Sequence, residues 1–531
     1  MSTSDASLLR PSAPINRRLD ELFESDVRLP EQAGAVEVSG ITLDSRTVRP
    51  GDLYVALPGS RVHGARFAEA TVAAGAVAVL TDPTGAELAA AAGLPVVVAD
   101  DARDAMADAA ATLFGRPTHE LMMYGITGTN GKTTTAFLLE AALEACGRRV
   151  GTIGTIGFRL DGAELPSNRT TVTTPESPDL QALLAVMLER GADSVAMEVS
   201  SHALALQRVD HIGFDIAAFT NLGRDHLDFH PTVADYFEAK ARLFQPEWCR
   251  VAVVNTDDEH GQELARRLRE QGSPRLVSTG FGESDHRLLE VRPEGPGMFV
   301  RCQGPYGERS FTIDLPGEHN ARNAVMALAM ASEAGLDADA AIEGLRHAQV
   351  PGRMQLVRLE GSRPDGRGAP RVHVDFAHTP QAISSALAAA HPGPGGRVLA
   401  VLGAGGDRDA AKREPMGRAA AEGAQVVVVT DDNPRNEDPD TIRAAVLAGA
   451  RAVDGVELVE QAGRSAAIRT ALSLAGPQDV LLVLGKGHEK GQIIAEKVHR
   501  FDDVEQVRTI WNALRLVGDA PAAEEDTDAQ H

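Results

Sequence analysis

The 531-residue chain is 43% hydrophobic and 24% charged, with a net charge of −23. That length exceeds what one core supports, so two to four domains are expected, and the acidity argues against a nucleic-acid backbone as main partner. Cys146, Cys249 and Cys302 fit no metal or redox spacing, the polar start lacks an apolar signal core, and no run of ~18 apolar residues spans a membrane. Together these predict a cytoplasmic protein with reduced thiols.

Residues 1–30 are polar and broken by Pro11, Pro14 and Pro30, which predicts a partly disordered lead-in with a short helix over Ile15–Phe23. Short apolar runs at Ile41–Leu43, Leu53–Leu57, Ala76–Leu80 and Leu94–Val98 then predict a small α/β domain over 31–118. Ser45 follows the first strand. Gly59–Gly64 is a loop rich in N–H groups with a cation at Arg61. Either could hold a diphosphate, although turn residues are the commoner use by roughly two to one.

A central domain is expected over 119–348. It opens on Leu121–Thr135, LMMYGITGTNGKTTT. An apolar strand runs into a glycine-punctuated turn and then a helix, the context a phosphate-binding loop demands. Lys132 can reach the terminal phosphates and the Thr133 hydroxyl can bind Mg²⁺. One position departs from the common pattern: Ile126 stands where glycine is usual, with Gly125 and Gly128 nearby. Strands at Val150–Ile156, Ser194–Val199 and Phe214–Thr220 alternate with helices, which implies a parallel sheet with ligands at its carboxyl edge. Glu198 lies at such an edge, in MEVSSHALALQR, where an acid can complete Mg²⁺ coordination. Ser200 follows it, and Arg208 can hold an anionic group. NLGRDHLDFH (Asn221–His230) gathers two histidines and two aspartates, with His226 a plausible metal or phosphate contact. The helix Thr232–Phe244 carries Lys240 beside its apolar stripe, where spacing alone favours a surface lysine. Residues 274–316 read as an antiparallel insertion or edge sheet.

A second doubly wound sheet is expected over 349–517, with strands at Val372–Phe376, Val398–Leu402, Gln425–Thr430 and Val480–Leu484. Arg353, in VPGRM, suits a transferring phosphate because a guanidinium matches its geometry. Asp375 ends a strand in VDFAHTP. GAGGDRD, DDNPR and GKGHE end three more strands and bring Arg408, Asp432, Asn433, Arg435 and Glu489 to one edge. Mixed charges there suit a zwitterion such as an amino acid. The tail over 518–531 is acidic and expected to be disordered.

GITGTNGKTT, MEVSSH, NLGRDHLDFHPTVADYFEAKARLF, GEHNARN, PGRM, DFAHTP and DNPR, in this order, resemble the Mur ligase family of ATP-dependent amide-forming enzymes. The resemblance covers roughly residues 35–515 and is strongest to members that add the third amino acid of the cell-wall peptide. It implies an α/β chain of three domains: a small N-terminal domain, a central P-loop ATPase-type sheet and a C-terminal Rossmann-like sheet. Gly128, Thr129, Asn130, Gly131, Lys132, Thr133, Thr134, Asn320, Arg353 and Asp375 would contact ATP. Thr133 and Glu198 would hold one Mg²⁺; His226 and an N-carboxylated Lys240 would hold a second. Lys132, Lys240, His226 and Arg353 would carry the catalysis. Leu43, Ser45, Ser60, Arg61, Val62, Thr173, Thr174, Ser200 and Arg208 would hold a UDP-muramoyl dipeptide. Arg408, Asp432, Asn433, Pro434, Arg435, Gly485 and Glu489 would hold meso-diaminopimelate, DNPR resembling the motif that selects it. Leu206 stands where relatives often carry glutamine, with Gln207 shifted by one. The implied chemistry is ligation through an acyl phosphate by a cytoplasmic monomer that meets neither nucleic acid nor membrane. A lysine-adding or folate-polyglutamylating ligase, and an ATP-dependent binding protein without ligation, stay open as alternatives.

Overall fold

The computed structural model describes residues 10–12, 15–24, 26–59, 61–165 and 173–517. Ser60, most of the expected lead-in before Ile15 and the expected acidic tail lie outside the described residues. No helix among the described residues is long and apolar enough to cross a membrane. The chain forms two compact units: Met1–Glu290, Arg301–Phe311 and Arg322–Arg346 in one, Val291–Val300, Thr312–Ala321 and His347–His531 in the other.

The first unit begins differently from expectation. Arg17–Arg18 pair antiparallel with Glu37–Val38, and only the 3₁₀ turn Leu19–Glu21 follows. Leu19 N–H donates to Val36 O at 2.8 Å. That outside partner wins because so short a segment cannot nucleate an isolated helix, and Leu19 and Leu22 are fully buried in return. A four-stranded parallel sheet follows, β1 (Gly40–Thr42), β2 (Asp52–Ala56), β3 (Ala78–Thr81) and β4 (Val96–Val98), ordered as in sequence. Helix α1 (Ala102–Leu113) is capped by Asp101, whose carboxylate accepts from Arg103 and Asp104 N–H.

The central sheet of this unit is built on β5 (Met122–Thr127), β6 (Val150–Gly154), β7 (Ser194–Glu198), β8 (Phe214–Phe219), β9 (Cys249–Asn255) and β10 (Arg275–Gly280). These are parallel, in the order β6-β7-β5-β8-β9-β10. Such strands are buried on both faces and read as continuous apolar runs. The region expected as an edge sheet supplies three more strands, His286–Glu294, Gly297–Gly304 and Gly307–Ile313, at one end of an eleven-stranded sheet. Helices α2 (Lys132–Ala145), α3 (Ser177–Glu189) and α4 (Val233–Ala241) follow β5, β6 and β8 in sequence. Ala182 and Ala185 of α3 join the core of Leu53, Leu80, Met106 and Leu113, so the N-terminal and central sheets share one compact unit.

The second unit holds β11 (Arg371–Asp375), β12 (Val398–Leu402), β13 (Val426–Val429), β14 (Glu457–Glu460) and β15 (Val480–Leu484), parallel in the order β11-β15-β12-β13-β14. Gln355–Val357 pairs antiparallel with β11. Leu387, Met416 and Val446 cover one face; Ile468 and Trp511 cover the other. This is the doubly wound sheet expected from sequence. Its edge strand β14 and the hairpin of β16 (Gly491–Ile494) and β17 (Lys497–Arg500) were not.

Candidate active site

The turn after β5 is shaped by two glycines in left-handed backbone, Gly128 (φ +145°) and Gly131 (φ +89°). A Cβ at Gly128 would lie 1.9 Å from Thr220 Oγ1. Gly131 is the N-cap of α2, so the positive end of the helix dipole points into the turn, as an anion site requires. The turn is braced from β8: Thr129 N–H donates to Asn221 O at 2.9 Å, Asn130 N–H to Asn221 Oδ1 at 3.0 Å, and Thr220 Oγ1 to Asn130 O at 2.6 Å. Lys132 Nζ folds back on the same turn, donating to Gly128 O (2.8 Å) and Thr129 O (3.0 Å). Thr134 is half-buried on the first turn of α2. Gly125, one of the two glycines offered for the missing motif position, belongs to β5; its missing Cβ would lie 2.8 Å from the Phe214 ring.

Glu198 ends β7 with 1% exposure. Its carboxylate accepts from Thr133 Oγ1 (2.9 Å), Thr155 N–H (2.8 Å) and Thr155 Oγ1 (3.2 Å). All three of these donors are neutral, so the buried carboxylate is held beside the phosphate-type turn by hydrogen bonds from hydroxyl and amide groups. A hydroxyl and a carboxylate oxygen side by side are hard donors of the kind Mg²⁺ takes, and this pair fits that ion. Lys240 reverses the expectation drawn from its spacing: it is 1% exposed. Its Nζ donates to Gly128 O at 2.8 Å and lies 4.6 Å from the Tyr236 ring centre. Burial, reinforced by the Lys132 charge, holds the Lys240 amine well below the usual lysine range. A neutral amine can take up carbon dioxide, and the resulting carbamate is an oxygen ligand. Half-buried His226 has φ +53°. Its ring stands 4.9 Å from that of His202 and 6.0 Å from that of Tyr236, whose hydroxyl is 3.2 Å from Thr129 Oγ1. These aromatic and hydroxyl contacts bring His226 to the same turn.

Thr173 and Thr174 approach from the segment before α3. Thr173 Oγ1 is 3.1 Å from Thr155 Oγ1, and Thr174 Oγ1 donates to Glu198 O at 2.9 Å. Ser200 N–H donates to Thr174 Oγ1 at 3.1 Å, while Ser200 Oγ caps the short helix that follows. Arg208 donates to Thr174 O (3.2 Å) and pairs with Glu176 (2.8 Å). Glu176 also pairs with Arg103 of α1 at 3.2 Å, and the displaced Gln207 donates to Asp101 at 2.8 Å. Sequence reasoning missed Glu176 and Arg103, because nothing local links residues so far apart. Leu43 and Ser45 are half-buried after β1; Arg61 and Val62 are exposed in the loop before His63.

In the second unit, Asn320 is buried near the start of the helix Glu318–Glu333 and donates to Pro316 O at 2.7 Å. The Arg353 guanidinium lies 5.0 Å from the Phe376 ring centre. Asp375, at the end of β11, accepts from Met354 N–H (2.6 Å) and Ala377 N–H (2.8 Å); burial pushes its carboxyl up from the ordinary range. The loops after β12, β13 and β15 converge. A Cβ on Gly405 would meet Arg435 Nη1 at 3.0 Å, Arg408 Cγ at 3.8 Å and Asn433 O at 3.9 Å, and one on Gly485 would meet Asp432 Oδ2 at 2.6 Å. Arg435 Nη1 donates to Gly406 O at 2.7 Å. Asn433 Nδ2 donates to Glu489 Oε2 at 3.0 Å, and buried Pro434 follows it in the loop. A guanidinium, an amide and carboxylates thus share one rim, a set able to read both ends of a zwitterion. Lys486, which the sequence reading did not single out, is buried among them.

Three family descriptions match in order: the catalytic domain of the Mur ligase family over residues 37–113, the Mur ligase middle domain over 126–331, and the Mur ligase glutamate ligase domain over 352–487. A relative from Streptomyces coelicolor, named UDP-N-acetylmuramoyl-L-alanyl-D-glutamate–2,6-diaminopimelate ligase, is 48% identical over 90% of this chain and 92% of its own. A relative of the same name from Corynebacterium efficiens is 45% identical over 89% and 90%. A solved structure with that name superposes with a TM-score of 0.70 at 30% identity, covering 94% of this chain and 99% of the other.

Proposed function

This chain belongs to the Mur ligase family, and we propose that it adds meso-diaminopimelate to UDP-N-acetylmuramoyl-L-Ala-D-Glu at the expense of ATP. The convergence of Arg435, Asn433 and Glu489 at one sheet edge carries the choice of amino acid. A guanidinium there matches a distal carboxylate, which a lysine-adding ligase has no use for. The nucleotide dipeptide is the substrate in the names of the relatives.

In the reaction, the D-glutamate γ-carboxylate attacks the γ-phosphorus of ATP and ADP leaves. The diaminopimelate amine then attacks the acyl phosphate carbonyl, loses a proton, and phosphate departs. Lys132 and the glycine turn Gly128–Thr134 hold the phosphates and offset charge on the transferring group. Arg353 binds the phosphoryl group; Asn320 and Asp375 contact the rest of ATP. Mg²⁺ held by Thr133 and Glu198, and a second ion held by His226 and carboxylated Lys240, would supply further charge stabilisation. Leu43, Ser45, Arg61, Val62, Thr173, Thr174, Ser200 and Arg208 orient the nucleotide dipeptide. Arg408, Asp432, Pro434 and Gly485 complete the amino-acid subsite. We assign domains to 31–118, 119–348 and 349–517, and the work to the cytoplasm, where nucleotide-linked precursors are soluble.

The test is an amino-acid panel with purified protein, ATP, Mg²⁺ and the UDP-linked dipeptide, scoring phosphate release. Release with meso-diaminopimelate and little with L-lysine is expected. The reverse pattern, or release that needs neither acceptor nor dipeptide, would overturn the proposal.

A further inference from the structure

Lys486 is fully buried, and lysine is almost never buried without a task or partner. It lies between Gly485 (φ +114°) and Gly487 (φ +55°), whose left-handed backbone turns the side chain inward. Its Nζ donates to Asn433 Oδ1 at 3.0 Å and to Glu489 Oε2 at 3.1 Å. Asn433 Oδ1 also accepts from Ile493 N–H at 2.9 Å. Two obligate donors therefore converge on one side of the Asn433 amide. Neither could face an NH₂ group, so the amide can take only one orientation, with its oxygen inward and its Nδ2 hydrogens toward the rim. One of those hydrogens goes to Glu489, leaving the other for a ligand. The hairpin of β16 and β17 fixes the rest of the loop. Gln492 Nε2 donates to Asp432 O at 2.6 Å, Arg435 N–H to Ile493 O at 3.1 Å, and Ala495 N–H to Arg435 O at 2.7 Å.

We propose that Lys486 is a positioning residue of the amino-acid subsite, locking Asn433 as a donor and anchoring the Glu489 carboxylate. The rim then reads a carboxylate at Asn433 and an ammonium at Glu489, and not the reverse. Lys486 touches no substrate; it sets the polarity with which its two neighbours meet one. This rests on the proposed diaminopimelate ligation and deepens it.

The test measures KM for each of the three substrates by phosphate release, in the wild-type chain and in Lys486→Met, whose unbranched side chain fills most of the same space without the donors. The KM for meso-diaminopimelate should rise about 10- to 100-fold, the scale of losing hydrogen bonds from a charged group. The KM values for ATP and the nucleotide dipeptide should stay within about twofold, since neither depends on the Asn433 amide. Lys486→Gln, which keeps N–H donors without the charge, should fall between. Because part of the Lys486 effect runs through Asn433, adding Lys486→Met to Asn433→Ala should cost clearly less than Lys486→Met costs in the wild-type chain. An unchanged diaminopimelate KM in both Lys486 variants would overturn the inference. So would a parallel rise in all three KM values, or a fully additive double variant. A wild-type chain that ignores meso-diaminopimelate would instead overturn the functional reading on which the inference stands.

Discussion

Replacing Arg435 by alanine isolates the proposed grip on the distal carboxylate of diaminopimelate. The backbone should hold still, because Arg435 N–H and C=O are both bonded to the β16 hairpin. The left-handed φ of +52° burdens alanine and arginine alike, since both carry a Cβ. Nη1 is engaged by Gly406 O, which leaves Nε and Nη2 for a paired contact with a carboxylate. Hydrogen bonds to charged groups contribute about 1.5–3 kcal/mol each, and the half-buried setting weakens both through solvent screening. A joint loss of about 2–3 kcal/mol follows, or about 30- to 150-fold in kcat/KM. Phosphate release at limiting meso-diaminopimelate measures it, with L-lysine, which lacks the second carboxylate, as the control acceptor. The loss should fall on diaminopimelate alone. A change under threefold, or an equal fall for lysine, would refute the assignment.

Lys240→Met should fold normally and lose about a hundredfold to a thousandfold of ligation activity, the scale seen when one group stabilising transition-state charge is removed. In the unaltered protein, ¹³C-bicarbonate should give a carbamate NMR signal that this variant lacks. Gly128→Ala should abolish ATP binding in calorimetry, because its Cβ collides with Thr220 Oγ1. Asp503→Ala strands the fully buried Arg464, now bonded to both Asp503 oxygens at 2.7 Å; about 3–5 kcal/mol of stability should go in denaturant titration. Burial pushes His373 down to about 4 from 6.5. As pH falls from 6.5 to about 4 the unfolded chain takes the proton first, so up to about 3 kcal/mol should be lost across that window. His373→Gln should flatten the loss.

The strands around the site were legible because parallel strands buried on both faces leave uninterrupted apolar runs. Val398–Leu402 and Val480–Leu484 match their expected bounds. The phosphate turn was legible because its glycines and its lysine are neighbours in sequence. Strand β14, ELVE, was missed because an acid at each end leaves only two apolar residues, too short a run to read as a strand. Lys240 read as a surface residue because helical spacing says nothing of the turn packed against it. Lys486, Glu176 and Arg103 draw their importance from partners distant in the chain, which no local pattern encodes.

Gly125 carries a lesson for anyone who hunts phosphate turns by their spelling. The glycine displaced from position 126 sits inside a strand, where its missing methyl makes room for the Phe214 ring rather than for a nucleotide. A text pattern requiring glycine at 126 would pass this chain over, although the turn still delivers its lysine to the start of a helix. Defining the turn by its backbone angles at 128 and 131 would retrieve it, along with any cousin whose letters have drifted in the same way.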